Sequence, residues 1–252
     1  MTLPGRSLRA AFLVLTRIPL GGHPYTATEW AWAPAYFPVV GLLLGLVLAG
    51  VHRLLWPLGA LPDAVAVVAV SMLVTGALHE DGLADTFDAL GGGTDRDRIL
   101  QILKDSRVGS FGACALLVSV TGRAALLARL GPAAAWALPL AGCAARVAPV
   151  WQMALLPYAS RTGAKNAHLA ATRPPQALVA SGWLVAASIG AALAHGPGAG
   201  RLLALGAAVA AVGWATAGVY RRRLGGFTGD FLGATEQLGE LAAYAALAWS
   251  EA

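Results

Sequence analysis

Charge is what this 252-residue sequence has least of. Only 12% of its residues are Asp, Glu, Lys or Arg, against about 25% in an ordinary soluble domain. With 57% hydrophobic residues, the chain has too little charge to cover a soluble globule and predicts a polytopic membrane protein. Cysteine is almost absent. Cys114 and Cys143 lie far apart in apolar runs, which excludes a disulfide framework and a zinc motif and leaves two small buried hydrophobes. A cleavable signal peptide is not expected: the apolar core at 10–15 is short, and Arg17 follows it without a small-residue cleavage site. Internal repeats and low-complexity linkers are missing as well. The net charge of +5 does not imply a nucleic-acid partner, because the cations sit at the ends of apolar runs.

What is present is a series of such runs. Residues 3–17 predict a short interfacial helix, with Leu8, Ala11, Phe12 and Leu15 on one face and Arg6, Arg9 and Arg17 on the other. Apolar spans follow at 34–55, 61–78, 111–130, 134–156, 177–194, 202–220 and 233–249. Together they predict one all-α integral membrane domain over 1–252, a bundle of about 6–7 transmembrane helices. Pro34 and Pro38 predict a kinked start to the first span. Glu236 and Glu240 make the last span the weakest. If the N-terminus is cytoplasmic and every span crosses, one side holds Arg6, Arg9, Arg17, Arg96, Arg98, Lys104, Arg107, Arg161, Lys165, Arg173, Arg221, Arg222 and Arg223. The other side holds only Arg53, Arg129 and Arg201, a bias that places the richer side in the cytoplasm. The Ala- and Gly-rich spans suit close helix packing.

The scarce charge is concentrated. Thr75 to Gly112 carries Glu80, Asp81, Asp85, Asp88, Asp95, Asp97 and Asp105, more than half of the 13 acids. A cytoplasmic catalytic loop is therefore expected at about 79–110. Asp81, Asp85 and Asp88 fall within about 60° on one helical face. Stacked carboxylates repel one another, and a Mg²⁺ ion that shares its shell between one or two carboxylates, water and phosphate oxygens would relieve the repulsion. His79 precedes this face. Lys104, Arg107, Ser110 and the neighbouring glycines offer charge and backbone N–H groups to a phosphate at the start of the third span. A second polar cluster, at about 221–240, repeats the pattern with Arg223, Thr228, Asp230, Glu236 and Glu240. Arg146, inside the fourth span, is expected to face the bundle interior and pair with an acid, as Arg123 could, or with a substrate phosphate. The chemistry that suits these groups is metal-assisted phosphoryl transfer.

LHEDGLADTFDALGGG, KDSRVGSFG and GGFTGDFLGATEQLGE, with FLVLTRIP near the start and YFPVVGLLLG in the first span, together resemble the cobalamin synthase family (adenosylcobinamide-GDP ribazoletransferase). The resemblance implies transfer of the cobinamide phosphate of adenosylcobinamide-GDP to α-ribazole or its 5′-phosphate, with GMP released. It implies Mg²⁺ dependence, a bacterial inner-membrane location and an active site facing the cytoplasm. The metal ligands are then expected among Asp81, Asp85, Asp88 and Asp230, with Asp88 or His79 taking the hydroxyl proton. Lys104, Arg107 and Asp230 are expected at the pyrophosphate end, and Ser110, Arg146, Arg223 and Thr228 complete the substrate-binding candidates. Membrane lipid is the expected surround; a homo-oligomer is left open. The DG-containing acidic motif is loosely similar to that of CDP-alcohol phosphotransferases, so a phospholipid phosphotransferase is the enzyme alternative. A transporter is the non-enzyme alternative, disfavoured because most acids gather in one loop rather than at mid-membrane.

Overall fold

A computed structural model describes residues 3–159 and 171–249. Arg161 and Lys165, two of the cations used to orient the chain, lie outside the described residues. Among the described residues twelve α-helices follow one another: α1 Leu3–Leu15, α2 Ala27–Trp32, α3 Phe37–Leu55, α4 Ala60–Thr75, α5 Leu78–Gly92, α6 Arg96–Ile102, α7 Ser110–Leu130, α8 Ala134–Ala145, α9 Val147–Leu155, α10 Pro174–His195, α11 Ala199–Arg223 and α12 Gly229–Ala248. Among the described residues the only β-type pairing is an isolated bridge between Tyr158 and Phe227. Among the described residues four helical stretches are long and apolar enough to cross a membrane: Ala27–Leu58, Ser110–Leu155, Pro174–His195 and Ala199–Arg223, with the α4–α5 pair a fifth if it is one bent span. The chain is an all-α multi-pass membrane protein.

Local sequence explains the breaks. Pro34 and Pro38 fall in the first turns of a 3₁₀ segment at 33–36 and of α3, where a missing N–H costs nothing. Gly76 and Ala77 both adopt left-handed backbone angles, φ 67° and 55°, and α5 leaves α4 at 90°. At 15 residues, α5 is roughly 22 Å long, shorter than the ~30 Å apolar core, so it does not cross on its own. The fourth span breaks at Arg146. Pro149 has no N–H for the Ala145 carbonyl and its ring clashes there, so α8 ends and α9 begins at that point.

Packing follows the small residues. Gly41 and Gly45 of α3 lie against Gly142 and Pro139 of α8, where any methyl group would collide with backbone. α12, the weakest span by sequence, is the centre of the bundle. It touches α5, α7, α8, α9 and α11, and buries Phe231, Leu232, Ala234, Ala243, Tyr244 and Leu247. Its acids therefore face protein rather than lipid. The rim is α10 and α11, where Leu193 and Trp214 are 85% and 82% exposed, as lipid-facing residues would be. The amphipathic α1 docks on this bundle through Ala10, Ala11 and Leu15, beside Phe37 and Val40 of α3.

Candidate active site

The two polar clusters meet where α5 crosses α12. The contact is glycine on glycine: a Cβ on Gly82 would lie 2.8 Å from the Asp230 carbonyl oxygen and 3.3 Å from Gly233 Cα, and one on Gly233 would lie 3.4 Å from His79 Cα. The crowding is at Gly82; a Cβ on Gly233 would make ordinary van der Waals contact. The helix contact brings Asp81 and Asp230, 149 positions apart, to the wall of one pocket of about 130 Å³, with His79, Arg146 and Glu236. The rest of the wall is apolar: Val14 and Leu15 from α1, Phe37, Pro149 and Leu232.

Asp85 lies one helical turn beyond Asp81 and is half-buried. Burial, then the negative charges of Asp81, Asp230 and Asp88, push its carboxyl up to about 7. The opposite holds for His79: burial, then the Arg146 guanidinium, bring its ring down to about 3, so it stays neutral.

Behind the pocket lies a buried layer of ion pairs. Arg146 NH1 donates to the Gly142 carbonyl at 2.8 Å and sits 2.9 Å from Glu236 Oε1. Its Nε is buried and has no hydrogen-bond partner among the described residues. Glu236 Oε2 is 3.7 Å from His79 Nδ1 and accepts a hydrogen bond from Gln237 Nε2 at 3.1 Å. Arg123 of α7 bridges Glu80 of α5, at 2.8 Å, and Glu240 of α12, at 3.2 Å. Tyr244 OH donates to Glu240 at 2.8 Å. The pairing of Arg146 and Arg123 with the acids of the last segment is as the sequence suggests. Glu80 joins them, turned some 100° from Asp81.

The remaining sequence-derived candidates stand around this site in other roles. Asp88 accepts hydrogen bonds from the amides of Gly109, at 2.7 Å, and Gly112, at 2.8 Å, and so holds the first turn of α7 to α5. Arg223 donates to the Leu90 and Gly93 carbonyls at 3.1 and 2.6 Å, closing the C-terminal end of α5. Thr228 caps α12, its hydroxyl accepting the Phe231 amide at 3.2 Å, with Asp230 in the first turn. Lys104, Arg107 and Ser110 are exposed at the α6–α7 junction and do not line the pocket. Arg107 NH2 is 2.7 Å from Asp105 Oδ2, and its side chain, then its amide, hold that carboxyl down at about 2. Sequence reasoning missed the contribution of α1 and the role of Tyr244. The latter was within reach, because Tyr244 stands four residues after Glu240 on the same face.

A hard cation suits this donor set in part. Among the described residues Asp81, Asp85 and Asp230 form no ion pair; Asp81 and Asp230 line the pocket, and Asp85 stands one turn from Asp81 outside its lining. Among the same residues no three His, Cys, Asp or Glu side chains are close enough to enclose one. That fits an ion completed by water and phosphate oxygens rather than a closed protein cage.

Fold and site thus define a multi-pass membrane protein with an acidic, arginine-backed pocket at the end of its bundle. The family model described as cobalamin-5-phosphate synthase matches residues 7–248, and the chain belongs to that family, whose members are transferases of cobalamin biosynthesis. It is 45% identical over 225 residues to the adenosylcobinamide-GDP ribazoletransferase of Rhizobium etli (strain CIAT 652), covering 84% of each chain. It is 40% identical over 243 residues to that of Sinorhizobium medicae (strain WSM419), covering 93% of this chain and 92% of the relative. It is 38% identical over 277 aligned positions to that of Polaromonas sp. (strain JS666 / ATCC BAA-500), covering 97% of each. No solved structure matches the chain.

Proposed function

We propose that this protein transfers the cobinamide phosphate of adenosylcobinamide-GDP to α-ribazole, or to its 5′-phosphate, and releases GMP. The observation that carries this reading is the pocket itself. Asp81 and Asp230, one from each polar cluster and neither in an ion pair among the described residues, line it together with Arg146. Arg146 offers a substrate phosphate a fixed positive charge beside the two carboxylates.

Asp81 and Asp230 would hold a Mg²⁺ ion, with Asp85 beside them. When bound, the ion neutralises charge developing on the phosphates. Arg146 fixes a phosphate oxygen. A ribose hydroxyl of α-ribazole attacks the phosphorus that bears cobinamide; the bond from that phosphorus to the bridging oxygen breaks, and GMP leaves with the oxygen. The hydroxyl proton passes to a carboxylate oxygen of Asp85, which stands one turn from Asp81 and forms no ion pair among the described residues. Asp88 is committed to the α7 amides, and His79 is too weak a base for that task. His79, neutral, lines the pocket and turns Nδ1 toward Glu236. Positioning and electrostatics then supply most of the rate.

The bacterial inner membrane is the proposed location, with the pocket on the cytoplasmic side. Support comes from the cation bias along the sequence, which puts Lys104, Arg107 and Arg221–Arg223 on the cation-rich side.

The test is purified protein in lipid vesicles with adenosylcobinamide-GDP, Mg²⁺ and either α-ribazole or a lipid alcohol. GMP release that needs α-ribazole supports the proposal. Release driven equally by the lipid alcohol would favour a phospholipid phosphotransferase, and no release with either acceptor would overturn both.

A further inference from the structure

Arg123 is 1% exposed, touches none of the pocket, and yet bridges the two helices that carry the acids. Its NH2 reaches Glu80 Oε1 at 2.8 Å on α5, and its NH1 reaches Glu240 Oε2 at 3.2 Å on α12. Glu80 is the residue before Asp81. Glu240 lies on the helix whose first turn holds Asp230 and is itself held by Tyr244 OH at 2.8 Å.

Stability alone is a weak reason for this arrangement. Buried ion pairs exchanged for packed apolar residues often leave a protein no less stable, whereas a fixed register is a function they are known to serve. The α5–α12 contact leaves such a function open. Gly82 and Gly233 meet without side chains, so their contact sets how closely the helices approach but not how α5 is rotated about its own axis. Residues 80 and 81 differ by about 100° around that axis. Pinning Glu80 inward therefore fixes the direction in which Asp81 leaves the helix.

We propose that Arg123 is a positioning residue: by holding Glu80 and Glu240 together on the inner side of the Gly82–Gly233 contact, it turns Asp81 toward Asp230 on the outer side. The inference rests on the reading of Asp81 and Asp230 as a cation and phosphate site.

The experiment uses full-length protein in lipid nanodiscs, with Mn²⁺ binding followed by electron paramagnetic resonance and GMP release measured in parallel. The variants are Asp81→Asn, Glu80→Gln, Arg123→Lys and a combined Arg123→Met, Glu80→Leu, Glu240→Leu chain. The combined chain keeps an apolar core and is expected to fold. It should bind Mn²⁺ at least about tenfold more weakly and lose on the order of 10²-fold in kcat, the scale of a ~1 Å misplacement, with KM for α-ribazole little changed. Glu80→Gln should show the same pattern more weakly, and Arg123→Lys should recover part of both losses. If the combined chain does not fold, Glu80→Gln decides. Wild-type Mn²⁺ affinity and kcat in the folded variants, while Asp81→Asn abolishes binding, would overturn the positioning role alone. Unchanged Mn²⁺ binding in Asp81→Asn would overturn the cation-site reading and the inference with it.

Discussion

Gly82→Ala is the smallest change that separates the two acidic helices. The added methyl would sit 2.8 Å from the Asp230 carbonyl oxygen and 3.1 Å from Asp230 Cα. Ordinary van der Waals contact begins at 3.4 Å, so α12 must withdraw by roughly 0.6 Å or more at the residue that carries the site's second carboxylate. The neighbour is backbone and cannot rotate away. Overpacking of this kind costs about 1–3 kcal/mol, but alanine gains up to about 1 kcal/mol over glycine inside a helix. The variant should therefore insert and purify, with a melting temperature lowered by only a few degrees. Activity should suffer more, because a ~1 Å misplacement can cost on the order of 10²-fold; between about tenfold and 10²-fold in kcat is expected. Gly50→Ala and Gly190→Ala, which meet nothing within 4 Å, are the controls and should keep wild-type turnover. The assay is GMP release in vesicles at matched protein. Wild-type kcat in Gly82→Ala would refute the claim that the α5–α12 approach builds the site.

Asp88→Asn should act on folding first: one of the two amide contacts to α7 is lost or weakened, costing about 1–3 kcal/mol, while the Mg²⁺ concentration for half-maximal GMP release changes little. Turnover should fall as pH drops through the Asp85 titration, which lies at about 7 without metal and lower with a cation bound beside it, because protonated Asp85 cannot accept the hydroxyl proton, and the fall should vanish from the residual rate of Asp85→Asn; an unchanged profile in that variant would exclude Asp85 as the base. Without Cys114 and Cys143, a single cysteine at Thr94 should resist an impermeant thiol reagent in intact cells and cysteines at Gly59 and Gly198 should react; outside labelling at Thr94 would contradict the orientation.

The helical segments were legible because apolar runs and proline breaks are local. The seven apolar runs coincide with helical segments of the bundle, although composition and length single out only four or five stretches as able to cross. α12 was undervalued because Glu236 and Glu240 count against a span only if they meet lipid. Their partners, Arg146 and Arg123, are supplied by other helices, and a hydropathy window cannot see them. The acidic face of Asp81 and Asp85 was legible from spacing alone. The work of Asp88, Arg223 and Thr228 was not, since each holds a helix end, and which backbone groups come within reach is settled only when the helices assemble. Arg146 was noticed as a charge out of place, yet that Pro149 would break the helix beside it was equally present in the sequence and went unread.

The measurement that bears most directly on the shared site is a double-mutant cycle on Asp81→Asn and Asp230→Asn, read as kcat/KM for Mg²⁺-dependent GMP release. If both carboxylates serve one ion and one pyrophosphate, either change alone removes most of that contribution, and the second adds less than about tenfold to the first. Losses that simply multiply would show that the two acids act independently, and Asp230 would then be a helix-terminus charge with no shared part in the reaction.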